Sequence, residues 1–130
     1  MQIVNFMTSD PVTIHPHDNL SRAKSIMDAG HFRRVPVVED GRLVGILTER
    51  DLHKYSGFLE STRVNAAMRT ALVTVTPHNT AEDAARLMLK HKIGGLPIVA
   101  DGKLVGIVTT TDLLRAFLIV VAGTSQIMNP

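Results

Sequence analysis

A Thr-x-x-Asp motif occurs twice in the sequence, and its residue types are the ones most suggestive of a chemical role. Thr48 and Asp51 form the first copy, and Thr109 and Asp112 form the second. A threonine at a helix N-cap accepts a hydrogen bond from the backbone N–H three residues on, and an acidic side chain at that later position reaches back to the N-cap backbone. The spacing alone therefore predicts a capped helix start at each motif.

The other residue types that carry chemistry do not combine into a catalytic or metal site. The chain has no cysteine, no Gly-x-Ser-x-Gly sequence and no Gly-rich phosphate loop, so a nucleophilic mechanism has no recognisable parts. Six histidines are present, but His15, His17 and His78 have no further ligand at convincing spacing. We expect neither an enzyme nor a metal protein.

Both motifs belong to a longer internal repeat. A shift of 61 positions aligns residues 7–52 with residues 68–113 without a gap, and 18 of the 46 aligned positions are identical. The identical positions include the Asp-Gly pairs at residues 40–41 and 101–102. The two halves are expected to share one order of secondary structure.

Each copy predicts a strand, a helix, a β-hairpin around its Asp-Gly pair, and a second helix after its threonine. In the first copy, the strand lies at residues 12–14 and the hairpin strands at 35–38 and 43–47. The helix lies at about residues 20–29, with Asp18 or Asn19 as its N-cap and Gly30 as its C-terminal stop. In the second copy, the strand lies at residues 73–75, the helix follows a capping box of Thr80 and Asp83, and the hairpin strands lie at 96–99 and 104–108. Residues 3–7 and 64–68 predict matching helical lead-ins.

A single copy would leave one face of its sheet uncovered, so two copies packed sheet to sheet are expected. The predicted fold class is α+β, with two β-α-β-β-α repeats related by a pseudo-two-fold axis. The predicted domains are residues 1–55 for the first repeat, 56–63 for a linker, 64–123 for the second repeat and 124–130 for a C-terminal tail.

The last predicted helix is apolar on nearly every side from Leu113 to Ala122. A helix that is hydrophobic all round is normally buried. We therefore expect a second subunit to cover it, which predicts a homodimer. The alternative is that the helix wraps its own sheet.

The repeated motifs together resemble the CBS domain (cystathionine β-synthase domain). Each copy leads from Pro-Val-Thr or its equivalent through hydrophobic-Pro-hydrophobic-Val and Asp-Gly to Leu-Val-Gly-Ile-hydrophobic-Thr-x-x-Asp-Leu. The resemblance covers about residues 3–54 and 64–115. It implies a tandem pair, called a Bateman module, that binds adenosine-containing ligands in two clefts and frequently assembles with a second module into a disc.

The resemblance also implies roles for particular residues. Asp51 and Asp112 would accept hydrogen bonds from both ribose hydroxyls, for which a carboxylate has enough lone pairs. Thr48 and Thr109 would lie near a phosphate at a helix N-terminus. Capping remains the alternative for these residues. The adenine slot would be lined by six apolar residues whose alternative role is core packing: Ile14, Val35, Pro36, Val75, Leu96 and Pro97. Backbone groups beside the two prolines would read the adenine edge, because a proline ends a strand ladder.

The two copies differ in charge at matching positions. Arg33 and Arg34 stand where the second copy has Gly94-Gly95, and Arg50 stands where it has Thr111. The planar guanidinium group suits phosphate, so one cleft is expected to favour phosphate more than the other. The alternative is that these arginines are solvated surface residues.

The function that this resemblance implies is regulatory. The chain would sense an adenine nucleotide (AMP, ADP or ATP) as a regulatory ligand and signal to an effector protein. S-adenosylmethionine or a dinucleotide as ligand, and a purely structural dimerisation unit with vestigial clefts, remain alternatives. A net charge of +2 with no basic cluster, and an apolar run of only residues 117–122, predict no nucleic acid and no membrane partner. The absence of cysteine fits a cytoplasmic location.

Overall fold

The computed structural model describes residues 1–128, and it describes side chains as far as residue 123. Both halves follow the order that the repeat predicts. A 3₁₀ turn at Ile3–Asn5 is followed by β1 (Thr8–Ser9), α1 (Leu20–Gly30), β2 (Arg34–Glu39), β3 (Arg42–Thr48), α2 (Glu49–His53), α3 (Val64–Ala67), α4 (Ala81–His91), β4 (Gly95–Ala100), β5 (Lys103–Thr109) and α5 (Thr110–Met128). The strands predicted at residues 12–14 and 73–75 are reduced to single parallel bridges, from Ile14 to Val37 and from Val75 to Ile98.

Two antiparallel hairpins, β2–β3 and β4–β5, form most of the sheet structure. The strands of the first are joined by Asp40-Gly41 with φ of 53° and 77°, and those of the second by Asp101-Gly102 with the same two values. Positive φ at both central residues is the requirement of a type I′ turn, whose twist matches that of the strands. The predicted hairpins are confirmed.

Each hairpin carries a proline in the middle of its first strand, which corrects the expectation that the proline ends the ladder. Pro36 pairs with Ile46 in β3, and the ladder continues on both sides. The backbone N–H of Ile46 donates to the carbonyl of Arg69 at 3.0 Å, and the N–H of Arg69 donates to the carbonyl of Ile46 at 2.9 Å. Both backbone groups of Ile46 therefore face away from β2. The missing N–H of Pro36 therefore falls at a position where no ladder bond is needed.

The helix caps follow the sequence with one correction. Asn19 caps α1 through the backbone N–H of Arg22, and Thr80 and Asp83 form the predicted capping box on α4. Gly30 is not the left-handed stop of α1, because it is still helical and His31 adopts the left-handed conformation. Gly30 is small for a different reason: a Cβ there would collide with the ring of Phe32.

Each repeat has its own hydrophobic core, and the lead-in segments cross between the two. The first core is formed by Ile14, Leu20, Ala23, Met27, Val35, Val37, Leu47, Leu52 and Val64. The second is formed by Ile3, Val75, Ala84, Met88, Leu96, Ile98 and Val108. Ile3 thus packs in the second repeat and Val64 in the first. Their backbone N–H groups anchor the crossing, since Ile3 donates to Asn79 and Val64 to Asp18, both at 2.8 Å.

The C-terminal helix α5 is largely exposed on a single chain. Asp112 and Ala116 are its buried side chains among those described, while Leu114, Phe117, Leu118 and Ile119 are each about 60% exposed. The helix therefore does not wrap its own sheet with these side chains. It continues to Met128, through most of the segment predicted as a tail, and residues 129–130 lie outside the described residues. No described helix is both long enough and apolar enough to cross a membrane.

Candidate functional site

Both Thr-x-x-Asp motifs form capping boxes at the starts of α2 and α5. Oδ2 of Asp51 accepts from the backbone N–H of Thr48 at 3.0 Å and from its hydroxyl at 2.8 Å. Oδ2 of Asp112 accepts from the same two groups of Thr109, at 2.8 and 3.0 Å. The two aspartates are 2% and 5% exposed, and they are the buried charged side chains of the described chain. A buried carboxylate must be hydrogen-bonded, and the box supplies those bonds.

The second carboxylate oxygen distinguishes the two motifs. Oδ1 of Asp51 accepts from Nε of Arg69 at 3.3 Å. Oδ1 of Asp112 lies 3.9 Å from Nη1 of Arg115, which is beyond hydrogen-bond distance. Asp51 therefore has a cationic partner in direct contact, and Asp112 has one only nearby.

Two clefts flank the motifs, and each draws on both repeats. The first cleft, of about 630 Å³, contains Thr48 and Arg69 on one side and Pro97 on the other. The second cleft, of about 860 Å³, contains Thr109 and Asp112 on one side and Pro36 on the other. Both volumes fall in the range of small-molecule sites.

The clefts are related by the same shift of 61 positions that relates the repeats. Ile46, Thr48, Arg69 and Pro97 in the first cleft correspond to Ile107, Thr109, Thr8 and Pro36 in the second. Asp112 lines the second cleft, whereas its counterpart Asp51 is not part of the first cleft's wall among the described residues. The pseudo-two-fold axis thus produces two similar but unequal cavities.

Arg33 and Arg34 line both clefts, so they lie between them. Gly94 and Gly95 make room for Arg34, because a Cβ built on Gly95 would lie 2.6 Å from its Cδ. Burial lowers the pKa of the Arg34 guanidinium, and the neighbouring Arg33 lowers it further. The glycine pair of the second repeat therefore accommodates an arginine of the first.

Cationic side chains are unevenly divided between the clefts. Leaving histidines aside, the described wall of the first cleft has five cations against one carboxylate: Arg33, Arg34, Arg50, Arg69 and Lys92 against Glu49. The described wall of the second has three cations against two carboxylates: Arg33, Arg34 and Arg115 against Asp10 and Asp112. The first cleft is the more electropositive of the two.

The remaining residues of the expected adenine slot divide into two groups. Pro36 and Pro97 line the clefts. Ile14, Val35, Val75 and Leu96 are core residues and are not part of either cleft's described wall. The carbonyl groups of the two prolines are occupied, by the N–H groups of Ile14 and Val75 at 3.1 Å each. Each of these carbonyls thus already accepts one hydrogen bond, and the expectation that backbone groups beside the two prolines read an adenine edge stays a prediction.

Sequence reasoning missed the lead-in residues of the clefts. Arg69 pairs with Ile46 and Thr8 pairs with Ile107, each as an extra strand residue from the crossing segment. The sequence feature that could have indicated them is the methionine directly before each residue, since Met7 and Met68 are identical positions of the internal repeat.

The histidines show no metal centre. The rings of His15 and His17 meet edge to face with centroids 5.0 Å apart, and the backbone N–H of His17 donates to Nδ1 of His15 at 3.1 Å. Within the described residues, no three His, Asp or Glu side chains are placed to hold a metal ion.

Comparison with known protein families agrees with the two-repeat geometry. The sequence profile of the CBS domain matches twice, at residues 3–57 and 64–119. The chain belongs to the CBS domain family. It is a tandem pair of these domains, and its two clefts lie between the domains.

Two relatives of this CBS pair differ in how much of their length the similarity covers. CBS domain-containing protein YhcV of Bacillus subtilis (strain 168) is 40% identical over 110 residues, which are 82% of this chain and 79% of that protein. Inosine-5′-monophosphate dehydrogenase of Staphylococcus aureus (strain Mu50) is 36% identical over 112 residues, which are 84% of this chain but 23% of the dehydrogenase. The similarity to the dehydrogenase thus concerns less than a quarter of that enzyme.

Solved CBS pairs share the fold over nearly their whole length. A protein of Vibrio cholerae assigned to acetoin utilization (AcuB) has a TM-score of 0.86 and 32% identity, covering 97% of this chain and 96% of that one. CBSX2, solved in complex with AMP, has a TM-score of 0.84 and 30% identity, covering 92% and 97%. The CBS pair of protein MJ0100, solved with 5′-methylthioadenosine and S-adenosyl-L-methionine, has a TM-score of 0.83 and 28% identity, covering 90% and 95%.

Proposed function

We propose that this CBS pair is a non-enzymatic regulatory module that binds an adenine nucleotide between its two domains and transmits the occupancy to a partner protein. AMP, ADP and ATP are the candidate ligands. The observation that carries the proposal is the pair of clefts in which the threonine of one repeat's Thr-x-x-Asp motif and the proline of the other repeat's hairpin line the same cavity. The AMP complex of CBSX2 supports the ligand class.

The chemistry of the second cleft suits such a ligand. Oδ1 of Asp112 has lone pairs to accept from a ribose diol, and Oδ2 is held by Thr109, which fixes the carboxylate. Arg33 and Arg34 line the same cavity and suit a phosphate group. The carboxylate would thus bind the ribose and the two arginines would bind the phosphate within one cleft.

A signal requires more than binding. A ligand shifts an equilibrium between two arrangements only by its difference in affinity for them. Because each cleft combines residues of both repeats, a bound nucleotide would favour the domain arrangement that places both walls in contact with it. The effector that responds to this change would be another protein.

The decisive experiment is calorimetry with AMP, adenosine and 2′-deoxy-AMP. Hydrogen bonds to a charged group contribute about 1.5–3 kcal/mol, so 2′-deoxy-AMP should bind about ten- to a hundredfold more weakly than AMP. Adenosine should also bind weakly, because the arginines would lose their phosphate. Equal affinity for all three compounds would contradict the proposal.

A second candidate ligand is S-adenosylmethionine or a related sulfur nucleoside, which the MJ0100 complex favours. That ligand keeps the ribose and lacks the phosphate. Tight binding of S-adenosylmethionine, with adenosine and AMP binding alike, would favour this candidate. If millimolar concentrations of all these compounds left the melting temperature unchanged, a purely structural role would be the better description.

We further propose that a second copy of the chain covers α5. The exposed residues Leu114, Phe117, Leu118 and Ile119 form an apolar surface that a monomer leaves in water. The described part of the helix carries one acidic and one basic side chain, Asp112 and Arg115, so like charges do not oppose self-association. Such a dimer would place two pairs of clefts in one assembly.

A further inference from the structure

The two clefts differ in whether their aspartate is available. Asp112 lines the second cleft, and its Oδ1 lies 3.9 Å from Nη1 of Arg115, whose side chain is 74% exposed. Asp51 contacts Nε of Arg69 through Oδ1 at 3.3 Å, and Arg69, not Asp51, forms the wall of the first cleft.

The backbone holds Arg69 in the position from which it reaches Asp51. Its N–H and C=O both bond to Ile46 of β3, at 2.9 and 3.0 Å, so the start of its side chain is fixed beside the cleft. The matching residue of the second cleft is Thr8, which pairs with Ile107 of β5. A threonine side chain is too short to place a donor on Asp112 in the same way.

We propose that Arg69 occupies the ribose-binding position of the first cleft, so that each chain binds one adenosine unit, in the second cleft. This inference rests on the proposed function and assigns its site within the molecule. To bind a diol, Asp51 would have to release a cationic donor, whereas Asp112 would not. A carboxylate with both oxygens engaged has little capacity left for two further hydroxyls.

Arg69 and Thr8 occupy equivalent positions of the repeat, so exchanging the two residue types between the clefts tests this inference. Arg69→Thr gives the first cleft the residue of the second, and Thr8→Arg gives the second cleft the residue of the first. Calorimetry of the full chain with AMP should give one binding event per chain. Arg69→Thr should add a second event that the native chain does not show, which corresponds to a gain in affinity of the first cleft of at least tenfold. Thr8→Arg should weaken the native event at least tenfold.

A double variant links the added event to Asp51. In the Arg69→Thr background, Asp51→Asn should remove the second event and leave the first. Arg69→Ala removes the same guanidinium without adding a hydroxyl, and it replaces Arg69→Thr if circular dichroism shows that the threonine variant has not folded.

The outcomes separate this inference from the proposed function. Two equal AMP events per native chain, or no added event in either Arg69 variant, would overturn the assignment to one cleft while leaving adenine nucleotide binding in place. If no AMP bound to the native chain or to any variant, the proposed function itself would be wrong, and this inference with it.

Discussion

At the scale of single residues, Asp112 combines a helix cap with the proposed binding of a ribose. Its Oδ2 accepts both bonds of the capping box, and the residue lines the second cleft. Asp83 on α4 forms a capping box of the same type with Thr80 but lies outside both clefts as far as their described walls extend. The chain therefore contains a capping aspartate that serves as a control for the proposed ribose-binding aspartate, Asp112.

Asp112→Asn is expected to weaken AMP binding about ten- to a hundredfold, because the ribose hydroxyls would lose a charged acceptor. Asp83→Asn, which removes the same charge from a capping box, should leave the affinity unchanged. Titration calorimetry measures both. Equal effects of the two substitutions would show that the lost affinity comes from helix capping alone.

The exposed capping box also predicts a pH dependence of stability. The backbone N–H of Thr80, followed by the side chain of Asn79, lowers the pKa of Asp83 below its ordinary value of 3.8. Between the pKa of Asp83 in the folded state and its ordinary pKa, the unfolded state therefore binds more protons than the folded state. The contribution of Asp83 to the free energy of unfolding is fully present above the ordinary pKa and is lost as the pH falls through the folded pKa.

We expect the free energy of unfolding to fall as the pH decreases below about 4, and to fall less steeply in the Asp83→Asn variant. Urea unfolding at a series of pH values measures both slopes. Identical slopes for the native chain and the variant would mean that Asp83 is bonded equally well in the unfolded state.

Several of the residues expected at the site line the clefts, namely Thr48, Thr109, Pro36 and Pro97, while their role in binding stays a prediction. The contact that engages Asp51 was not predictable, because it comes from Arg69. Arg69 lies 18 residues from Asp51 in the sequence and reaches it only through the crossing of a lead-in segment. Local motifs carry no information about such a contact.

At the scale of elements, the turns and helix starts were the features best predicted from sequence. Asp-Gly predicts a type I′ hairpin because the backbone conformation excludes most other residues, and the capping box on α4 follows from Thr80 and Asp83. The first strand of each repeat was overestimated, since Ile14 and Val75 form single bridges. A β-branched run predicts extended backbone, but it does not determine how many residues find a partner.

The hairpin turn gives a prediction about backbone conformation. No described atom lies within 4 Å of a Cβ built on Gly41, so Gly41→Ala tests only its φ of 77°. We expect a loss of about 1–2 kcal/mol in the free energy of unfolding, because alanine disfavours the left-handed region.

Gly123→Ala is the matched control, since Gly123 lies in α5 with no described neighbour within 4 Å of its Cβ position. Alanine is the better helix former by about 0.8–1.0 kcal/mol, so this change should stabilise the protein. Urea unfolding measures both variants. Shifts of the same sign would show that backbone conformation does not govern the effect at Gly41.

At the scale of the whole molecule, the repeat predicted two related domains, and the resemblance to the CBS domain implied two clefts. The apolar sequence from Leu113 to Ala122 led us to expect a second subunit over the last helix, with its own sheet as the alternative. In the structure Leu114, Phe117, Leu118 and Ile119 remain exposed on a single chain, so the cover by a second subunit stays a prediction.

The proposed dimer predicts that the native protein sediments at twice the chain mass of 14.2 kDa. Leu118→Glu should produce a monomer, because it places a charge without a partner in an apolar interface. Phe58→Glu changes a side chain of similar exposure, 66% against 64%, outside this helix and should leave the dimer intact. Analytical ultracentrifugation measures all three. A native monomer, or a dimer that survives Leu118→Glu, would contradict the proposed interface.

The exchange of lead-in segments has a consequence for biosynthesis. Val64 completes the first core and Ile3 completes the second, so a nascent chain that has emerged only as far as residue 57 has the first core open and no core in which Ile3 can pack. The first core contains no residue beyond Val64, so the first domain is expected to close its core once the lead-in segment at residues 64–68 has emerged, before the second domain is complete. The second core closes later, because Ile3 packs against residues of the second repeat.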